Sequence, residues 1–259
     1  MPAPQALLPA ADQFGLFWLV LARTGGVFAA APLLSAQGVP MPLRAALSLL
    51  VAIAVMPGAA PPAGGVPEAL LPYAALVVHE VAVGLVIGFL ARVVFFAAEL
   101  AGGLIDVQMG LSIGSTVDPV YGQPQSLFGS WLNTVATLAF LAAGGLEVLV
   151  GAVAVSYRHL PLGGGAVFAA GAQTAVAALG WSFVAAVGLA APALAVGFVL
   201  NLLLGLLARA VPQINLLQTV LPAQVGAGLL ALLGAMPLLL SGFAGLVPQT
   251  LDWIGRLWS

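Results

Sequence analysis

The stretch ELAGGLIDVQMGLSIGSTVDPVYGQPQ, Glu99 to Gln125, lies between two long apolar blocks and follows the rules of neither. It holds the carboxylates of Glu99, Asp106 and Asp118, glycines at positions 102, 103, 110, 114 and 122, and Pro119 and Pro124, with no basic residue. The glycines permit tight or left-handed turns, and the prolines fix φ and remove donors, so the stretch is expected to be an ordered, irregular loop. In so apolar a chain, irregular backbone at membrane depth is tolerable only where protein buries it or where it lines a watery cavity. That points to a pore or a binding cleft.

Composition sets the surroundings of this loop. Of 259 residues, 62% are hydrophobic and 5% charged, against roughly 25% charged in soluble domains. The apolar runs are continuous and rich in Leu, Ala and Val, without the alternation of a membrane β-barrel. The fold class is therefore all-α, an integral membrane protein or part of a membrane complex. A formal net charge of -2, with all six cations arginine, excludes a basic nucleic-acid surface. Cysteine is absent, so there are no disulfides or thiolate metal ligands. The first residues, MPAPQALLPAADQF, lack a positive n-region, so a cleavable signal peptide is not expected.

In chain order, residues 14–34 match a span, with Arg23 in its middle. A central arginine is costly in lipid, so Arg23 should face other helices, a cavity or an aqueous layer, the plainer reading being a buried partner for a carboxylate within the fold. Pro32, Pro40 and Pro42 break the chain, and a short run from Arg44 to Met56 follows. Residues 57–67, PGAAPPAGGVP, read as an exposed connection with nothing to pack. From Glu68 to Leu100 an apolar run carries His79, Glu80, Arg92 and Glu99, about 50 Å if wholly helical. Glu80, Gly84 and Gly88 recur every fourth residue, a face suited to close helix packing.

Beyond the central loop, residues 127–157 are interrupted at Gly144 and Gly145, which suits either two half-length helices or one span. The uncharged run from Leu160 to Ala208, with Pro192 inside, is long enough for two helices. Arg209 ends it, and Gln213, Asn215, Gln218 and Gln224 form a polar series before the last apolar run. Trp253, Arg256 and Trp258 suit a membrane interface. The whole chain, 1–259, reads as one membrane domain with a central loop at about 104–125.

No catalytic, metal or cofactor site is expected. His79-Glu80 could begin an H-E-x-x-H zinc helix, but position 83 is Val. Gly110-Leu111-Ser112-Ile113-Gly114 fits the G-x-S-x-G nucleophile elbow, a pattern that a glycine-rich loop produces readily by chance. A secondary transporter is the more substantial rival, since broken helices and buried charges build such sites.

The residues that decide between these are spread along the chain: Arg23 with Pro32; Val39-Pro40 with Arg44; Glu80 with Gly84 and Gly88; Glu99 with Gly102-Gly103; Ile105-Asp106; Gln108-Met109-Gly110; Asp118-Pro119. Phe140 with Gly144-Gly145, Ser156-Tyr157, Pro161, and Arg209 with Pro212-Gln213-Ile214-Asn215 complete the series. In order and spacing they resemble the family of the flagellar biosynthesis protein FliR and its injectisome export-gate counterparts.

The resemblance implies a non-enzymatic core subunit of the type III protein export gate, helping to form the channel for unfolded flagellar rod, hook and filament substrates. A virulence injectisome gate is the alternative. One R-type copy would join P-type and Q-type subunits as helical hairpins in a right-handed helical assembly. The B-type autocleaving switch subunit and the A-type export subunit would be neighbours. The place would be the bacterial inner membrane, within the flagellar basal body. The implied pore plug is residues 108–123, with Gln108, Met109, Gly110, Leu111, Ile113, Gly114, Asp118 and Pro119. Met109, Leu111 and Ile113 would form its apolar tip. Arg23, Glu80, Arg92, Glu99, Asp106, Arg209, Pro212, Gln213 and Asn215 would be the buried charge and packing residues.

Overall fold

The computed structural model describes residues 10–31, 40–111, 126–164, 167–210 and 216–257. These residues form eight α-helices and contain no strand: α1 (Ala10–Ala30), α2 (Met41–Val55), α3 (Leu70–Gln108), α4 (Leu127–Ala142), α5 (Gly145–His159), α6 (Val167–Ala210), α7 (Leu216–Ala244) and α8 (Leu246–Gly255). Among them, five stretches are long and apolar enough to cross a bilayer: Asp12–Ala30, Met41–Gly58, Leu70–Gln108, Gly171–Leu207 and Gln224–Gly255. The pair α4 and α5, bent by 70° at their break, would add a sixth as one broken span. The bend falls at Gly144, whose φ of +79° is a left-handed conformation that glycine adopts without a Cβ penalty.

The chain divides into two compact units. The first comprises Met1–Val94, Ala143–Leu179 and Val247–Ser259, and the second Phe95–Ala142 and Gly180–Leu246. In the first unit, Leu16, Leu19, Val20, Arg23 and Val27 form one fully buried stripe along α1, at the three- and four-residue spacing of a helix face. Four of the five are aliphatic and the fifth is a cation, so this stripe must meet a partner as well as a core. The backbones of α1 and α3 touch. A Cβ at Gly26 would stand 2.6 Å from the Val81 carbonyl oxygen, and one at Gly84 or Gly88 would run into the carbonyl oxygens of Arg23 or Val27. The four-residue glycine series on α3 is thus a packing seam. Small residues let two backbones approach where lipid supplies no hydrophobic force between helices.

Two expectations about connections need correction. Residues 57–67 are not merely an exposed linker: Ala59 and Pro62 are buried, and the Val66 side chain fills the space where Gly15 lacks a Cβ, 2.7 Å from that position. A loop of apolar small residues can pack where a helix offers a glycine notch. Nor does the run beyond Leu160 make two helices. The single helix α6 continues through Pro192, because one proline and scattered glycines remove a backbone bond without supplying a turn. In an apolar setting the remaining backbone groups favour continuing the helix.

In the second unit, Leu132, Ala136 and Phe140 of α4 are fully buried, and Phe140 meets Phe95 edge to face at a centroid distance of 5.1 Å. The stretch expected to be irregular from Glu99 onward is helical as far as Gln108. Gly102 lies against the backbone of Gly129 at a distance that leaves no room for a Cβ, so it serves helix contact rather than a turn. A proposed domain of 1–259 thus contains two local cores, and α3 runs through the first five residues of the loop expected at about 104–125.

Candidate functional site: a buried ion pair and the end of the third helix

In the first unit, Arg23 and Glu80 are both completely buried. The guanidinium Nε donates to Glu80 Oε2 at 2.6 Å, and Nη1 donates to Ser156 Oγ at 3.2 Å and to the Leu160 carbonyl at 2.9 Å. Glu80 Oε1 accepts the Gly163 N–H at 2.9 Å. The guanidinium carbon also lies 4.3 Å from the centre of the Tyr157 ring, within range of a cation–π contact. Tyr157 donates its hydroxyl to the Val20 carbonyl at 3.2 Å, returning to the helix that carries Arg23. One cation therefore ties α1, α3, α5 and the turn at 160–163 together. Gly163, at φ +71°, lets that turn aim its N–H at the carboxylate. Ion pairing and hydrogen bonding on this scale are what make a buried charge tolerable.

In the second unit the carboxylate of Asp106, 5% exposed, accepts the N–H of Phe128 at 3.2 Å. Ser126 Oγ accepts the N–H of Gly129 at 2.8 Å. Together they satisfy two of the donors that open α4, one from its own N-cap and one from another helix. The end of α3 closes as a Schellman motif. Leu111 N–H reaches the Asp106 carbonyl at 3.0 Å, Gly110 N–H reaches that of Val107 at 3.2 Å, and Gly110 takes φ +71°. Two knobs project from this end. The Gln108 side chain occupies the space beside Gly197 on α6, its Cγ 2.6 Å from where a Cβ would stand. Met109, 1% exposed, places its Sδ and Cε where a Cβ on Gly228 of α7 would be. One turn away along each helix, Asn201 of α6 accepts a hydrogen bond from the Gln224 amide of α7.

Of the residues singled out from the sequence, Arg23 with Glu80, and Asp106 with Gln108, Met109, Gly110 and Leu111, fall in these two places. Met109 corrects its assignment: it is at the buried base of the loop rather than its tip, because the notch at Gly228 accommodates it. Gly110 is the left-handed helix cap in this conformation. Arg92, Glu99 and Arg209 are exposed on this chain, so the burial expected for them is not supplied by its own helices. Ser112, Ile113, Gly114, Asp118, Pro119, Pro212, Gln213 and Asn215 lie outside the described residues. The sequence reading missed Gly163, Gly197, Gly228 and Asn201. Only Asn201, a lone amide in an apolar run, carried a local signal. No cluster of His, Cys, Asp and Glu suited to a metal occurs among the described residues.

An all-α chain with several apolar spans, a buried ion pair and a knob-and-notch loop base defines a membrane-embedded helical protein. A sequence profile described as "Bacterial export proteins, family 1" matches residues 14–250, and the chain belongs to this family. It is 30% identical over 232 residues to the flagellar biosynthetic protein FliR of Bacillus subtilis (strain 168), covering 87% of each chain. It is 29% identical over 223 residues to the protein of the same name from Escherichia coli (strain K12), covering 86% of this chain and 84% of that one. It is also 31% identical over 219 residues to the surface presentation of antigens protein SpaR of Salmonella typhimurium, covering 83% and 80%.

Proposed function

We propose that this chain is a core subunit of the type III protein export gate of the bacterial flagellum, in the inner membrane, where it helps to form the channel for unfolded rod, hook and filament proteins. The observation that carries the reading is likeness to FliR over most of both chains. The chain would act as the single R-type subunit beside P-type and Q-type subunits, with the A-type and B-type export subunits as neighbours. Arg92, Glu99 and Arg209, exposed on an otherwise apolar chain, suit contacts with such partners. Residues 108–123 would close the passage when no substrate is present.

The test is complementation. In a flagellated strain lacking its own FliR, this chain should restore secretion of hook and filament protein and co-purify with P-type and Q-type subunits. Purified alone, it should aggregate. Restoration of injectisome secretion without flagellar secretion would assign it to the virulence apparatus, to which the likeness to SpaR also points. A stable, ligand-binding monomer in detergent would overturn the export reading in favour of a transporter.

A further inference from the structure

The outward face of α3 suits neither of the solvents that a membrane protein meets. Val78, Leu85, Phe89, Arg92, Phe96 and Glu99 are all exposed. At 3.6 residues per turn they fall in a stripe about 80° wide on one uninterrupted helix. Arg92 and Glu99 stand two turns, about 10 Å, apart with Phe96 between them. Among the described residues neither makes an ion pair or a side-chain hydrogen bond. Lipid against this stripe would strand two opposite charges. Water against it would leave two phenylalanines and their aliphatic neighbours bare in a row. A covering that is apolar and also carries charges answers both, and a protein helix is such a covering.

The order of the charges decides which helix. A second copy of this chain, inserted in the same sense, would bring its α3 alongside in parallel, arginine level with arginine and glutamate with glutamate. Like charges placed face to face oppose association. The antiparallel arrangement would match opposite charges, but it requires one copy to be inserted upside down. We infer that this stripe of α3 is the docking surface for an apolar helix of a different chain, one that carries a carboxylate level with Arg92 and a cation level with Glu99. Which chain supplies it rests on the export-gate reading, in which P-type and Q-type subunits are the neighbours. The two charges also fix the register of the partner along α3, since a slip of one turn would set its carboxylate against Phe89 or Phe96.

The experiment coexpresses the chain with P-type and Q-type subunits and reads two quantities. One is the amount of each subunit that co-purifies. The other is the surroundings of a nitroxide attached at Gly103→Cys, the next position of the stripe, where a Cβ meets nothing within 4 Å and no native cysteine competes. In the assembled complex the label is expected to be immobilised and shielded from both dissolved oxygen and a water-soluble nickel chelate. Arg92→Glu and Glu99→Arg are each expected to lower co-purification several-fold and to free the label. Arg158→Glu, which changes an exposed charge outside the stripe, should leave both readouts as they were. Replacing the partner's carboxylates by lysine one at a time should find one that restores assembly of Arg92→Glu, which a folding defect would not allow. A label open to oxygen shows lipid on the stripe, a label open to the chelate shows water, and disulfide-linked dimers of the unlabelled Gly103→Cys chain show a second copy. Any of the three overturns the inference. If the unaltered chain assembles with the subunits and the charge variants assemble equally well, the docking surface is wrong and the export reading stands. If the unaltered chain does not assemble with them, the export reading fails and the inference fails with it.

Discussion

The two units bury polarity in opposite ways. In the first, a full positive and a full negative charge lie at 2.6 Å with no exposure, held by Ser156, Leu160, Gly163 and Tyr157. In the second, among the described residues, the buried carboxylate of Asp106 has no cation and spends its charge on a backbone N–H, while shape is set by glycine notches. The difference concerns how each arrangement fails. An ion pair fails as a unit, because losing one partner strands the other charge. A notch and a flexible knob fail gradually, because the methionine can move. The first suits a fixed joint and the second an adjustable one.

The largest effect should come from breaking the joint. Glu80→Ala leaves the Arg23 guanidinium buried without its counter-charge, at a cost of about 3–5 kcal/mol. That is a large part of the ~5–15 kcal/mol that usually separates folded from unfolded states. The chain should then be cleared from the membrane even with its partners present, as seen by immunoblot of membrane fractions. Arg23→Met combined with Glu80→Leu removes both charges and should recover much of the lost amount. If Glu80→Ala alone accumulated normally, the ion pair would not be the joint.

Next in size is a comparison of glycines. Gly84→Ala places a methyl group against the backbone of Arg23 and Val27, which cannot turn aside, so α1 and α3 must separate. Overpacking of this kind costs about 1–3 kcal/mol. Gly25→Ala on the same seam region of α1 meets nothing within 4 Å and should be neutral or slightly stabilising, since alanine is the better helix former. Thermal melting of the assembled complex in detergent reads the difference. Equal melting for the two variants would remove the backbone contact as the reason for the glycine series.

How much of this was legible in the residues follows from which interactions leave a local trace. An arginine inside an apolar run is expensive wherever it lies, so Arg23 announced a partner, and the Glu80, Gly84, Gly88 spacing announced a close helix face. The break at Gly144-Gly145 was visible because two adjacent glycines weaken a helix. The extent of α3 was misread, because glycine is a turn signal only when nothing packs on it, and Gly102 is packed on Gly129. The two occupied notches were hidden for the same reason. Gly197 and Gly228 look like any other glycine in α6 and α7, and only their neighbours in space set them apart. Met109 looked like an exposed tip because a loop sequence does not say which of its apolar residues finds a notch.

The smallest effect sharpens the comparison through one substitution made twice. Replacing a carboxylate by its amide keeps size and one acceptor oxygen while removing the charge. At Glu80 the charge is the point, since Arg23 remains cationic and buried, so Glu80→Gln should still cost several times more than its counterpart below. At Asp106 the acceptor is the point, because the donor is the neutral N–H of Phe128. Asp106→Asn exchanges a charge-assisted hydrogen bond for a neutral one, a difference of about 1 kcal/mol. The complex should melt only slightly lower. If Asp106→Asn instead matched Glu80→Gln in severity, Asp106 would have to answer a cation in the assembled gate, and the second unit would be joined by charge like the first.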